Sequence, residues 1–207
     1  MKVLLVNGSI HEKGCSYTAF NEVAKALQEN GIQTEIFWLG KELPVGCKGC
    51  LACKKTGKCV FGEEDGVNAF VEKASHFDGF VFGSPVYYAS PAGSLLSFMD
   101  RVFYSGARNL AYKPAAAVVS CRRAGASTTF DVINKYFTIN NMPIVSANYW
   151  NEIHGNKAEE ALQDAEGLQT MRILGYNMAW LLKCIEIGKI EGLEPMREEK
   201  IRTNFIR

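Results

Sequence analysis

KVLLVNGSIHEKGCSYTAF, Lys2 to Phe20, joins an apolar run to the start of a helix through a loop carrying Gly8 and Gly14 and a cluster of hydroxyls. The run Lys2 to Asn7 reads as a buried strand, and Phe20, Val23, Ala24 and Leu27 recur at helical spacing behind the loop. A helix start offers unpaired N–H groups and the positive end of a dipole, so a loop of this kind is a candidate anion site. The loop matches neither the dinucleotide fingerprint G-x-G-x-x-G nor a P-loop, and the nearest Gly-Lys pair, Gly57 and Lys58, is followed by Cys59. Rich in hydroxyls and poor in cationic side chains, it suits a terminal phosphate monoester held by N–H and O–H groups. Flavin mononucleotide (FMN) carries such a group.

Beyond Phe20, short apolar or β-branched runs alternate with longer helical segments, the pattern of βαβ units around a parallel sheet. The expected strands are Lys2 to Asn7, Thr34 to Leu39, Gly79 to Gly83, Ala115 to Ser120 and Ile144 to Tyr149, all read as buried. Helical spacing of Val67, Phe70, Val71 and Ala74 marks a further helix, and others are expected over Ser94–Tyr104, Thr128–Asn140 and Ala158 to about Ile185. Helices interleaved with five strands give a three-layer α/β sandwich, with residues 1–207 forming one domain. Gly40 to Glu64 is the longest irregular stretch, long enough to be functional or ordered by a ligand.

Composition narrows the classes. The 207 residues are 47% hydrophobic with a formal charge of +1, and Lys and Arg are scattered, so neither nucleic acid nor a membrane surface is an expected partner. The near balance also weighs against a small acidic electron carrier. Lys2 is followed only by Val3 to Val6 before Asn7, too short for a secretion leader or a membrane span, so a cytoplasmic location is expected. With no secretion signal, the seven cysteines favour a metal or redox role over a disulfide framework.

In an open parallel sheet, ligands sit beyond the carboxyl ends of the strands. The loops there are the first one, GSPVYYASPAGS after the third strand and SCRRAGAST after the fourth. Pro85, Val86, Tyr87 and Tyr88 would set a rigid turn and an aromatic wall for a flat ring, with one of the two tyrosines turned under a helix. A guanidinium from Arg122 or Arg123 would stabilise negative charge on the reduced ring, with Arg122 the favoured candidate.

GSIHEKGCSYT, GSPVYYASPAGSLLSFMDR and SCRRAG together resemble the NADPH-dependent FMN reductase family of flavodoxin-like folds, and YWNEIHG and DAEGLQTMRILGYNMAWLL extend the likeness along most of the chain. GCKGCLACKKTGKC is similar to the iron-sulfur flavoproteins of that family. The resemblance implies a five-stranded parallel sheet of order 2-1-3-4-5 and FMN held at the three loops. It also implies a homodimer or homotetramer in which a neighbouring subunit covers the flavin. It assigns Ser9, Ser16, Tyr17 and Thr18 to the phosphate and Pro85 to Tyr88 to the isoalloxazine, while Cys15, Ser120, Arg122 and Gly125 complete the cofactor set. His11 stands where the family commonly has Arg, which leaves more of the phosphate charge to backbone N–H groups.

Cys47, Cys50, Cys53 and Cys59 read C-x2-C-x2-C-x5-C, a spacing in which successive thiolates can converge on one centre. The last gap is longer than in the ferredoxin run, and Val60 follows where ferredoxins have Pro, so all four could ligate one 4Fe-4S cluster. Zinc and free thiols are the alternatives. Several other residues have plainer readings. His76 is a helix-end residue, Cys121 and Cys184 are packing thiols, and His154 is a loop histidine able to cover the flavin edge. Trp38 and Trp150 are core or subunit contacts, and Cys15 is a helix-start thiol whose pKa could be lowered.

The expected function is transfer of hydride from NAD(P)H to FMN and on to a small acceptor such as flavin or quinone, with no catalytic side chain required. The alternatives are an iron-sulfur flavoprotein exchanging electrons with a ferredoxin-like partner, and a non-enzymatic flavin-binding sensor or carrier.

Overall fold

Successive side chains of a strand point to opposite faces, and the central strands carry apolar residues on both, which forces helices onto each side. In the computed structural model, which describes residues 1–42, 44–203 and 205, this produces two main cores. Leu43, inside the irregular stretch, lies outside the described residues. The strands are β1 (Lys2–Asn7), β2 (Gln33–Trp38), β3 (Gly79–Tyr87), β4 (Ser90–Pro91), β5 (Ala115–Cys121) and β6 (Glu152–His154). The helices are α1 (Cys15–Glu29), α2 (Ala52–Thr56), α3 (Val67–Ala74), α4 (Gly93–Leu110), α5 (Ala126–Ile139), α6 (Ala158–Ala161) and α7 (Ala165–Ile190).

Val3 and Leu5 meet Phe20, Val23 and Leu27 of α1 and Leu174 and Met178 of α7. Leu4 and Val6, one residue out of phase, meet Phe70 of α3 and Leu95 and Phe98 of α4 on the opposite face. The five parallel strands run in the order β2-β1-β3-β5-β6, and β4 folds back antiparallel on the end of β3. Leaving β4 aside, this is the expected order of second, first, third, fourth and fifth. Gly83 sets the end of β3 against α1, because a Cβ there would stand 2.3 Å from the Phe20 ring.

Three expectations change. The fifth strand is Glu152–His154 and not Ile144 to Tyr149, of which only Ile144 pairs, in an isolated bridge with Ala115. An edge strand has a partner on one side only, so its position is fixed by a few ladder bonds: Val119 N donates to Asn151 O at 2.9 Å, and the buried Asn151 Nδ2 donates to Ala117 O at 3.0 Å. Not every strand is buried, since β2, at the other edge, is only half covered. The helix expected from Ala158 is broken in two, because Asp164 accepts a hydrogen bond from Gly167 N at 2.9 Å and starts α7 afresh. The irregular stretch contains the short α2. Among the described residues no helix is long and apolar enough to cross a membrane.

Candidate functional site

The first loop is braced by its own side chains. Asn7 Oδ1 accepts from Ser9 N at 3.0 Å, Asn7 Nδ2 donates to Glu12 O at 3.0 Å, and Ser9 Oγ accepts from His11 N at 3.1 Å. From β2, the half-buried Trp38 donates its indole N–H to Ser9 O at 2.7 Å, so this tryptophan is a buttress for the loop. Gly14 begins α1 with no side-chain cap, and the first helical bond runs from Thr18 N to Gly14 O. The N–H groups of the first turn, which itself contains no acidic residue, are therefore left for an anion.

That helix end opens on a cleft of about 520 Å³ at the carboxyl ends of the strands. Ser9, His11, Cys15 and Ser16 line it from the first loop, Pro85, Val86 and Tyr87 from the end of β3, and Ser120 and Arg122 from the end of β5. Ser16 Oγ and Ser120 Oγ lie 2.9 Å apart and tie two of the loops together. Of the two arginines, Arg122 reaches the cleft and Arg123 does not line it.

Four of the expected residues do not line the cleft. Tyr17 borders a separate hollow beside Glu12 and Trp38, and Thr18 is buried in α1. Tyr88 is fully exposed with φ of 52°, followed by Ala89 at 55°, so the two form the tight turn between β3 and β4. Neither tyrosine is tucked under a helix, since Tyr87 is itself 41% exposed. Gly125, at φ +88°, supports that turn from behind: a Cβ there would stand 2.8 Å from Ala89 Cα.

The structure adds residues that the sequence reading missed. Lys13, Cys121 and the segment Gly155–Glu159, which runs from the end of β6 into the start of α6, line the same cleft. Lys157 adds a second lysine to the Lys13 of the first loop, with Glu159 in the same lining. Lys13 sat in plain view in that loop, whereas nothing in the local pattern around Lys157 marks it. His154 is exposed and does not line the cleft, its backbone N–H donating to Asp164 Oδ2 at 2.7 Å. Cys15 reverses its expectation, because burial pushes its thiol up instead of down, and its Sγ donates to Gly155 O at 3.4 Å. Cys121 is buried and raised for the same reason, while Cys184 is exposed and does not serve as a packing thiol.

A second centre lies against α4. Cys47, Cys50, Cys53 and Cys59 all line one apolar cavity of about 20 Å³, together with Leu51, Phe61, Arg101 and Tyr104. Burial pushes the Cys53 thiol up, and Cys59, Cys47 and Cys50 push it further, so the four sulfurs act on one another. The Arg101 guanidinium donates from Nε and Nη2 to Cys59 Sγ, each at 3.3 Å. All seven cysteines are free. Among the described residues no three His, Cys, Asp or Glu converge on a point suited to a single metal ion. A cubane cluster does not demand that convergence, because its ligand sulfurs stand at separate corners. Four thiols around one cavity, with a cation on one sulfur, fit the donor set of such a cluster. Cys47 and Cys50 are exposed, and Cys53 and Cys59 are partly covered.

A parallel sheet in this order, with an anion-ready helix start and a cleft at the carboxyl edge, defines a flavodoxin-like α/β protein. The profile of the NADPH-dependent FMN reductase family matches residues 1–157, and the chain belongs to that family, which makes it a flavin-dependent oxidoreductase. It is 32% identical over 197 residues to an iron-sulfur flavoprotein of Methanocaldococcus jannaschii, spanning 90% of this chain and 100% of the relative. An iron-sulfur flavoprotein of Methanosarcina thermophila is 26% identical over 191 residues, spanning 90% and 97%. Among solved structures, RosB with bound 8-demethyl-8-formylriboflavin-5'-phosphate aligns at a TM-score of 0.72 and 13% identity, over 100% of this chain and 92% of that one. A flavodoxin from the domain Archaea aligns at 0.59 and 13% identity, over 88% and 99%. At those identities the structural likeness speaks for the fold alone.

Proposed function

We propose that this chain binds FMN in the cleft and a 4Fe-4S cluster at Cys47, Cys50, Cys53 and Cys59, and exchanges electrons with an external redox partner of ferredoxin type. The observation that carries this reading is the gathering of all four cysteines around one cavity with the Arg101 N–H groups on the Cys59 sulfur. The named relatives, similar over nine-tenths of the chain, support it.

The chain's own residues have separable tasks. Ser9 and Ser16 offer hydroxyls, and the first turn of α1 offers N–H groups, to a phosphate whose charge Lys13 and Lys157 help to balance. Pro85, Val86 and Tyr87 form a wall for a flat ring, and Arg122 is the cation available to its electron-rich end. Bound FMN supplies both two-electron and one-electron chemistry, and a cluster supplies one-electron chemistry alone. A second reading, supported by the family match, is hydride transfer from NAD(P)H to a small acceptor such as flavin or quinone.

The test is the visible spectrum and iron content of protein purified without oxygen. Flavin bands plus a broad absorbance that bleaches on reduction, with about four irons per chain, is the expected result. Flavin without iron, together with rapid NAD(P)H oxidation, would favour the second reading. A colourless protein that takes up no FMN would overturn both.

A further inference from the structure

Arg101 heads the fully buried side chains of the described residues by size, a charge held inside the protein. A guanidinium carries five N–H donors and no acceptor, and its burial is tolerated only where those donors are satisfied. All five have partners here. Nε donates to Cys59 Sγ, and Nη1 donates to Val45 O at 3.1 Å and to Asp65 Oδ2. Nη2 donates to Cys59 Sγ at 3.3 Å and to Asp65 Oδ1 at 3.3 Å.

Two of the five donors thus fall on one sulfur. A neutral thiol is a weak acceptor, whereas the anionic sulfur of a metal ligand accepts charge-assisted bonds. The three partners also bracket the cysteine run: Val45 precedes Cys47, Cys59 is the last cysteine, and Asp65 follows it. One side chain on α4 therefore closes both ends of the loop that presents the four thiols.

We propose that Arg101 is a positioning residue for the iron-sulfur centre, one that fixes Cys59 as a ligand and raises the midpoint potential of the cluster, with Asp65 setting how far. This rests on the cluster reading above. Adding an electron to a cluster increases its negative charge. N–H donors on a ligand sulfur and a nearby cation favour that state, and a nearby carboxylate opposes it. A merely structural ion pair between Arg101 and Asp65 would hold the loop without moving the potential in a predictable direction.

The experiment compares the parent chain with Arg101→Lys and Asp65→Asn after anaerobic reconstitution with iron and sulfide. Iron and acid-labile sulfide per chain, FMN per chain, and the cluster midpoint potential in an EPR-monitored titration are the readouts. Arg101→Lys keeps the charge and loses the fork, so its midpoint should move to more negative values; Asp65→Asn should move to more positive values. FMN content should match the parent in both. If Arg101→Lys fails to retain iron, a positive shift in Asp65→Asn still supports the role. Midpoints equal to the parent's in the variants that load would overturn it. A parent chain that binds FMN and takes up no iron overturns the cluster reading as well, which distinguishes that failure from a failure of the Arg101 role alone.

Discussion

Ser16 is 2% exposed, and its Oγ stands 2.9 Å from Ser120 Oγ at the edge of the cleft. A carboxylate there would face the phosphate at close range in a partly desolvated place. Ser16→Asp is therefore expected to weaken FMN binding about 100-fold, or about 2.8 kcal/mol. Ser16→Ala removes one hydrogen bond and should cost about 1 kcal/mol. Quenching of FMN fluorescence measures both, and an unchanged affinity in the aspartate variant would remove Ser16 from the phosphate site.

Cys15 gives a prediction in pH. Burial disfavours the thiolate, so the folded thiol holds its proton above the ordinary value of 9.0. Unfolded chains lose that proton first, so the contribution of Cys15 to stability is intact below that value and declines as pH rises through it. Alkylation by iodoacetamide, followed at the Cys15 peptide by mass spectrometry, should reach half its maximal rate at a pH above 9.0. A midpoint below that would show that the dipole of α1 outweighs burial.

At the scale of elements, the break between α6 and α7 depends on Asp164. Its two carboxylate oxygens accept from Gly167 N at 2.9 Å and from His154 N at 2.7 Å, so one side chain starts a helix and holds the edge strand β6. Asp164→Ala should lower stability by about 1–2 kcal/mol, and Asp164→Asn by less, because its amide oxygen can still cap the helix. Urea unfolding with an unchanged m-value would measure this. Equal stability of the alanine variant and the parent would show that packing alone sets the break.

For the molecule as a whole, the cleft and the cysteine cavity share no lining residue among those described. The two sites should fail independently. Cys50→Ser is expected to abolish iron binding while FMN per chain, read from absorbance, stays at the parent level. Loss of FMN in that variant would mean that the cysteine loop supports the cleft after all, and full iron retention would remove Cys50 from the ligand set.

The alternation of strands and helices, the anion-ready start of α1 and the run of four cysteines are legible in the chain alone, because these are local patterns set within a turn or a few residues. Gly125 and Tyr88 belong to the loops that flank the cleft, yet only their positive φ angles show that they shape the turn at the rim instead of lining the cleft. Only the assembled layers bring Lys157 and Lys13 to the lining of one cleft, put β6 at Glu152–His154 and close Arg101 on Cys59, 42 residues away. Each of those depends on partners distant in the chain. Edge-strand register and the pairing of a buried charge are settled by hydrogen bonds formed when the layers come together, and no periodicity records them beforehand.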